Sequence, residues 1–381
     1  MNSARKSILA VIFSVSVFSL TYGLSAPLIT LQLADMAYGE STIGLNAAMH
    51  ALGVFAIAPF LPKLFRQFTP LTLMCTSLVA IAVLFLLFPY TPVPVWFVLR
   101  FGLGVFTEII MVLTETWLND STVEQARGKT MALYTAGMSL GFASGPLILA
   151  LMGSDNAFPF IAGAAISLLA VALIVKAGMV RQPGEHVTPT GYRQSLQLAF
   201  LAIVATALNA AIEVAGMNFL SLYAMNLGWV ESQATLLISV LMFGAIVLQL
   251  PLGWLADKMD RRLLMTILAT ISALGALIWP FLLPIPWLAY CLLFVWGGVF
   301  VGIYTVAITW VGSQFRGAQL AGIYAAMSVA WGTGALFGPL LGGLAMDLTT
   351  HGLPYLTAIL CALFAILSLR KTAAALIREQ D

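Results

Sequence analysis

The chain has 381 residues, 61% of them hydrophobic and only 8% charged, with a formal charge of +2. Soluble domains carry about 25% charged residues, so this composition excludes a water-soluble fold and makes lipid the surrounding medium. A net charge this small, with no basic run interleaved with aromatics, also excludes a nucleic-acid partner.

The first element invites a misreading. Arg5-Lys6, an apolar run from Ile8 to Leu20 and Ser25-Ala26 imitate a secretory signal. Pro27 follows the would-be cleavage site, however, and the apolar pattern continues through Leu33, so the stretch is expected to remain as a full span. Twelve spans are predicted, at 8–34, 42–62, 70–90, 94–118, 130–152, 157–178, 196–226, 233–254, 263–283, 287–311, 318–346 and 353–370. Turn residues separate them, among them Tyr38-Gly39, Pro92-Val93-Pro94, Gly153-Ser154-Asp155-Asn156 and Pro284-Ile285-Pro286. With both ends in the cytoplasm, every Lys and Arg except Arg100 falls on the inner side, from Arg5 and Lys6 through Lys63, Arg127, Lys258 and Arg316 to Arg378. That is the positive-inside bias, and it predicts a multi-pass protein of the cytoplasmic (inner) membrane with both termini cytoplasmic. Cys75, Cys291 and Cys361 lie inside apolar runs without metal-ligand spacing and read as small buried hydrophobes.

The longest polar stretch, RQPGEHVTPTGYR at 181–193, falls between spans 6 and 7. It divides the chain into an N-terminal six-helix half at 1–180, a cytoplasmic linker at 181–194 and a C-terminal six-helix half at 195–381. The halves echo one another: Gly104 is matched by Gly297, Thr116-Trp117 by Thr309-Trp310, Arg127-Gly128 by Arg316-Gly317 and Gly145-Pro146 by Gly338-Pro339. The spacing of the last two pairs differs by one helical turn. Spans 3, 6, 9 and 12 contain no charged or amide side chain and are expected to face lipid, whereas spans 1, 2, 4, 7 and 8 carry Gln32, Asn46, His50, Arg100, Glu108, Glu115, Asn209, Glu213, Asn218 and Gln249.

Span 4 is the most loaded. At 100° per residue Arg100, Gly104, Glu108, Met111 and Glu115 share one stripe within about 80°, with Arg100 and Glu108 roughly 12 Å apart along the axis and Glu108 and Glu115 roughly 10 Å. Each unpaired charge at mid-bilayer costs at least about 2.5 to 3.5 kcal/mol, so the stripe must face a wet cavity or a partner helix. In span 7, Glu213 has Asn209 one turn before it on the same face. A carboxyl there can couple transport to protons as the cavity opens to either side, can be a permanently satisfied structural group, or can touch cargo directly. His50, one turn after Asn46, is a candidate partner for Glu108 or Glu213, or an ordinary hydrogen-bonded histidine. Arg100 is either a structural anchor or a counter-charge for an anionic cargo, and Glu115 suits a gate contact or a proton relay. Tyr22, Trp117, Tyr304, Trp310, Tyr324 and Trp331 could line an aromatic cavity or simply pack, with Tyr324, Ser328 and Trp331 on one stripe. Small residues every four positions around Gly145-Pro146 and Gly338-Pro339 predict a kink and tight contact between the halves. Asp257 and Arg261 can pair if their loop is helical, and Gly253 would let another helix approach.

No G-x-x-x-x-G-K-S/T loop, metal-ligand cluster or Ser-His-Asp signature occurs. Accordingly no nucleotide, metal, cofactor or enzymatic activity is expected.

Twelve spans in two halves, with GWLADKMDRR at 253–262, RFGLG at 100–104, GFASGP at 141–146 and GALFGPLLGG at 334–343, resemble the major facilitator superfamily over nearly the whole chain. TETWLND at 114–120, with Arg127-Gly128 and Tyr134, looks more narrowly like its YcaD-like branch. The resemblance implies that Gly253, Asp257, Lys258, Arg261 and Arg262 form a gate that breaks during transport, and that the Gly-Pro segments are those of members exporting by proton exchange. Two departures stand out. Lys63 occupies the first-half position of Asp257, and Asp260 stands where the family usually has Gly.

The function expected from all this is secondary active transport of a small organic molecule by alternating access, as a monomer, with protons entering through Glu213, Glu108 and Glu115. Export of a largely apolar or weakly ionisable compound comes first, uptake of an organic anion or nutrient second, and a non-transporting receptor or assembly partner third. The cavity is expected to be lined by Arg100, His50, Asn209, Asn46, Gln32, Tyr22, Gln249, Tyr304, Tyr324 and Trp331.

Overall fold

The computed structural model describes residues 3–121, 124–177, 199–315 and 317–378, with no strand among them. The helices are α1 (Ser3–Asp35), α2 (Glu40–Ile57), α3 (Leu61–Gln67), α4 (Pro70–Leu87), α5 (Val93–Ser121), α6 (Glu124–Met152), α7 (Phe158–Ala177), α8 (Phe200–Asn226), α9 (Glu231–Lys258), α10 (Arg261–Leu282), α11 (Pro286–Gln314), α12 (Gly317–Leu348) and α13 (Gly352–Arg378). Twelve stretches among the described residues are long and apolar enough to cross a membrane, with α2 and α3 together making one of them, Glu40–Gln67. The fold is an all-α, multi-pass membrane fold.

Local chemistry sets the boundaries. A 3-10 turn at Ala58–Phe60 carries Pro59 and separates α2 from α3. Thr69 caps α4 by accepting from the Thr72 amide at 3.2 Å, with Pro70 in the first turn where its missing N–H costs nothing. Asp260 caps α10 in the same way, accepting from the Leu263 amide at 2.8 Å. Gly153 (φ +74°) and Gly228 (φ +92°) follow α6 and α8 in the left-handed region that glycine enters without a Cβ penalty.

The chain forms two compact units. Unit 1 comprises Met1–Tyr38, Leu45–Glu185 and Glu231–Ser239; unit 2 comprises Gly39–Gly44, His186–Val230 and Val240–Asp381. Their packing follows one plan. In unit 1, α1 packs on α5, α6 and α7, and α4 on α5 and α7; in unit 2, α8 packs on α11, α12 and α13, and α10 on α11 and α13. The central helices α1 and α8 are the most deeply buried spans, at 61% and 72%.

Glycines reproduce the plan at backbone level. A Cβ on Gly104 of α5 would overlap the His50 carbonyl of α2, and one on Gly53 of α2 would overlap the Phe101 carbonyl. In unit 2, Gly297 of α11 meets the Leu241 carbonyl of α9 and Gly244 meets the Phe294 carbonyl, with the same three-residue offsets. Likewise Gly141 and Gly145 of α6 press on the α1 backbone at Ser16 and Leu24, while Gly334 and Gly338 of α12 press on α8 at Ala207 and Ala211. Backbones brought this close gain van der Waals contact that any larger side chain would forfeit.

Burial within the chain is similar across most spans: α4, α7, α10 and α13 are 39% to 50% buried, against 44% for α5 and 39% for α9. Hydroxyls of spans 9 and 12 are satisfied locally, as where Thr266 of α10 donates to Ser368 of α13 at 2.7 Å. One expectation needs correcting. Cys291 is exposed on α11 rather than buried; Cys361 is buried and Cys75 intermediate.

Candidate functional site

In unit 1 the polar side chains of α1, α2 and α5 meet beside the Gly104 crossing. Arg100 is 2% exposed, and its Nη1 donates to the Ser25 carbonyl of α1 at 3.2 Å. One turn along α5, the Thr107 hydroxyl donates to the Gly104 carbonyl at 3.1 Å and lies 3.3 Å from His50 Nε2. When the Thr107 proton is directed at Gly104, the hydroxyl accepts from His50 in its Nε2–H tautomer. The Tyr22 ring stands edge-on to His50 at 4.9 Å and to Phe142 of α6 at 5.7 Å. Asn46, 1% exposed, keeps its Nδ2 buried without a hydrogen-bond acceptor.

Lower on the same helix the character changes. Glu108 is half-buried and makes no hydrogen bond or ion pair among the described residues, while Glu115 is exposed. The ionisable groups in its field are Glu115 and the Tyr134 hydroxyl of α6, not Arg100 or His50. Arg100 instead shares its surroundings with His50 and Tyr22. The charged stripe therefore divides into a basic upper cluster and an acidic lower one.

In unit 2 the corresponding central helix carries Asn209 and Glu213. Asn209 Nδ2 donates to Glu213 Oε2 at 2.9 Å, and Asn209 Oδ1 is buried without a donor. Glu213 itself is half-buried. Between α9 and α11, Thr305 donates to Gln249 Oε1 in a short bond.

Residues 11–212 and 199–379 match the family pattern of the Major Facilitator Superfamily. The chain belongs to that superfamily. Among curated relatives, the MFS-type transporter YfkF of Bacillus subtilis is 27% identical over 344 residues, covering 88% of this chain and 87% of its own. The MFS-type transporter YcaD of Salmonella dublin is 22% identical over 254 residues, 66% of this chain and 65% of its own. Among solved structures, the nucleoside transporter NupG superposes with a TM-score of 0.79 at 12% identity over 97% of this chain and 99% of its own. A D-xylose–proton symporter does so with 0.74 at 13% identity, over 96% and 97%. At such identities the two structures establish the facilitator fold.

Other residues singled out in the sequence have the following settings in this facilitator. His50 bonds Thr107 and Glu213 bonds Asn209, so His50 is the hydrogen-bond partner of neither acid. Gln32 is not brought to the cluster: its amide donates to the carbonyls of Ser154 and Asn156 at 2.7 and 3.3 Å, clamping the turn between α6 and α7. Tyr324 is 39% exposed and Ser328 is exposed on the same stripe, with Trp331 and Tyr304 half-buried. Asn218 donates to the Val214 carbonyl of its own helix at 2.8 Å.

The GWLADKMDRR segment is not one helix. α9 ends at Lys258 and α10 starts at Arg261, so Asp257 and Arg261 pair across the turn at 3.6 Å. Arg261 also donates to the Ala256 carbonyl at 3.2 Å and to that of Thr309 on α11 at 3.4 Å, while Lys258 sits 3.8 Å above the Trp254 ring and Arg262 lies 5.2 Å from that of Trp310. Gly253 does not serve a close approach, since a Cβ there would meet nothing within 4 Å. The approach on α9 is made at Gly244 instead. The close contacts of Gly145 and Gly338 are with α1 and α8 inside their own units.

Other partners were not foreseen. Tyr223, fully buried on α8, bonds His351 Nδ1 at 3.0 Å. Asp347 at the end of α12 accepts the first backbone amides of α2, from Glu40 at 3.0 Å and Ser41 at 3.1 Å. Both join residues more than a hundred positions apart, and a lone sequence carries no signal for that. Thr107 was within reach of inspection, lying three residues past the glycine that brings α2 against α5.

Proposed function

We propose that this facilitator is a secondary active transporter of the cytoplasmic membrane, exporting a small, largely apolar or weakly ionisable molecule in exchange for protons by alternating access of its six-helix halves, residues 1–180 and 195–381. Both termini lie in the cytoplasm, as the sorting of its Lys and Arg residues supports. It works as a monomer.

The observation that carries proton coupling is the Asn209–Glu213 pair. A carboxylate accepts hydrogen bonds only, whereas the protonated acid must also donate one. Asn209 meets both needs: its Nδ2 donates to Glu213 Oε2, and rotation of the amide would offer the unused Oδ1 to the acid proton. Glu213 then keeps Asn209 as a hydrogen-bond partner in both protonation states, whereas a carboxyl left with no partner would cost about 1–3 kcal/mol. Proton binding at one stage of the cycle and release at another couples the gradient to cargo movement.

Uptake of an organic anion on Arg100 is the weaker reading, because the guanidinium is almost fully enclosed and holds the Ser25 carbonyl. The deciding experiment uses proteoliposomes. Glu213→Gln is expected to abolish proton-driven accumulation while substrate counterflow persists. Wild-type pH dependence in that variant removes Glu213 from coupling, and failure of every cargo to show counterflow favours a receptor or assembly role.

A further inference from the structure

Two polar side chains one turn apart on α2 have hydrogen-bonding capacity that the protein itself does not use. Asn46 is 1% exposed, and its Nδ2 has no acceptor. Its Oδ1 makes no hydrogen bond among the described residues either, so exchanging the two amide atoms changes nothing. His50 follows about 6 Å along the axis and about 40° round the helix, on the same face. Its Nε2 lies 3.3 Å from the Thr107 hydroxyl, and in the Nε2–H tautomer Nδ1 is an acceptor without a donor among the described residues. Buried polar groups are normally paired, and an enclosed amide with both atoms idle is a costly feature that a bound group can relieve.

The chemistry of that group follows from counting donors and acceptors. Asn46 and His50 together offer one NH2 donor and two acceptors, Asn46 Oδ1 and His50 Nδ1. A primary carboxamide is the converse, with one carbonyl acceptor and two N–H donors. Its C=O and one N–H can close a reciprocal pair with the Asn46 amide while the second N–H turns to His50. A carboxylate would instead set acceptors against acceptors. An ammonium would be repelled by Arg100, which stands one turn before the Gly104 that lies against the His50 carbonyl. The Tyr22 ring, edge-on to His50 at 4.9 Å, gives the body of the molecule an aromatic wall.

We infer that Asn46 and His50 form the recognition site for a primary carboxamide on the cargo. This rests on the transporter reading and narrows its cargo to neutral molecules that carry that group. Asn46 is enclosed in this conformation, so cargo meets it at the stage of the cycle that uncovers this face of α2.

The test uses the full-length protein and four phenylalkyl probes with the same apolar body, ending in a carboxamide, its N,N-dimethyl derivative, a carboxylate or an ammonium. Binding is measured by calorimetry and movement by counterflow in proteoliposomes. The carboxamide is expected to bind at least about tenfold tighter than each of the others, the effect of leaving one buried polar group unpaired. Asn46→Leu should erase that preference, and without ligand it should melt at or above the wild-type temperature, because it removes an idle buried amide. His50→Phe should bind the carboxamide several-fold more weakly while keeping part of the preference. Equal or tighter binding of any other probe overturns the inference, as does an unchanged preference in Asn46→Leu or the absence of binding by all four. A lower melting temperature of unliganded Asn46→Leu also overturns it, since the amide then has a structural partner. Counterflow of a cargo without a carboxamide, at an undiminished rate in Asn46→Leu, sinks the site while leaving the transporter standing; selective carboxamide binding with no counterflow of any cargo keeps the site and removes the transporter reading.

Discussion

Gly104 lies against the main-chain carbonyl of His50, and Gly297 lies in the same way against that of Leu241. Neither position has room for a methyl group. Gly104→Ala and Gly297→Ala are each expected to destabilise the protein by about 1–3 kcal/mol, the usual cost of overpacking. Gly253→Ala, where a Cβ meets nothing, should match or exceed wild-type stability. Thermal unfolding of the purified variants ranks the three, and equal melting of all of them would mean that the crossings are slack.

Asn209→Leu removes the donor to Glu213 but keeps the bulk of the side chain. A hydrogen bond to a charged group contributes about 1.5–3 kcal/mol, so proton-driven transport should fall by about tenfold or more. Counterflow should stay near wild type. A parallel loss of both would show that the pair supports structure rather than coupling.

At Arg100 the donor geometry is at stake. A lysine there keeps the charge but loses the planar fork, and its single ammonium must reach the Ser25 carbonyl from a different angle. Arg100→Lys is expected to fold and to transport poorly. Full transport rates in that variant would mean that charge alone is required.

Asp347 holds the Glu40 and Ser41 amides, which an α-helix leaves without internal partners at its start. Asp347→Ala should cost about 1 kcal/mol, as losing an N-cap does, and should speed hydrogen exchange at those two amides selectively. Unchanged exchange there would show that the contact is not maintained in solution.

Asp257 and Asp260 separate stability from gating. Asp260 caps α10 while Asp257 makes an exposed pair, and exposed pairs contribute about 0–1 kcal/mol. Asp260→Ala should therefore lower the melting temperature more than Asp257→Asn. If the segment gates transport, as the family resemblance implies, Asp257→Asn should slow turnover without weakening cargo affinity.

The spans and the internal repeat were legible because apolar length and turn residues are local properties. Gly104 and Gly297 could be matched by position, and the contact each makes explains why both are glycine. Asp260 read as a departure from the family pattern, yet its place before a helix is itself a capping signal, which the structure fills. What the sequence could not show was direction across space. Arg100 and Glu108 share a face on the helical wheel, but the wheel does not show that α1 and α2 flank the upper part and α6 the lower. Gln32 looked like a cavity residue because amides in spans often are, and only the fold reveals the turn it clamps.

The doubled glycine crossings also limit how the molecule can move. A joint made of main chain has no rotamers to switch, so α2 cannot ratchet over α5, nor α9 over α11, by side-chain repacking. Each pair must travel as a welded rod, and bending during a transport cycle has to come from stretches outside those welds.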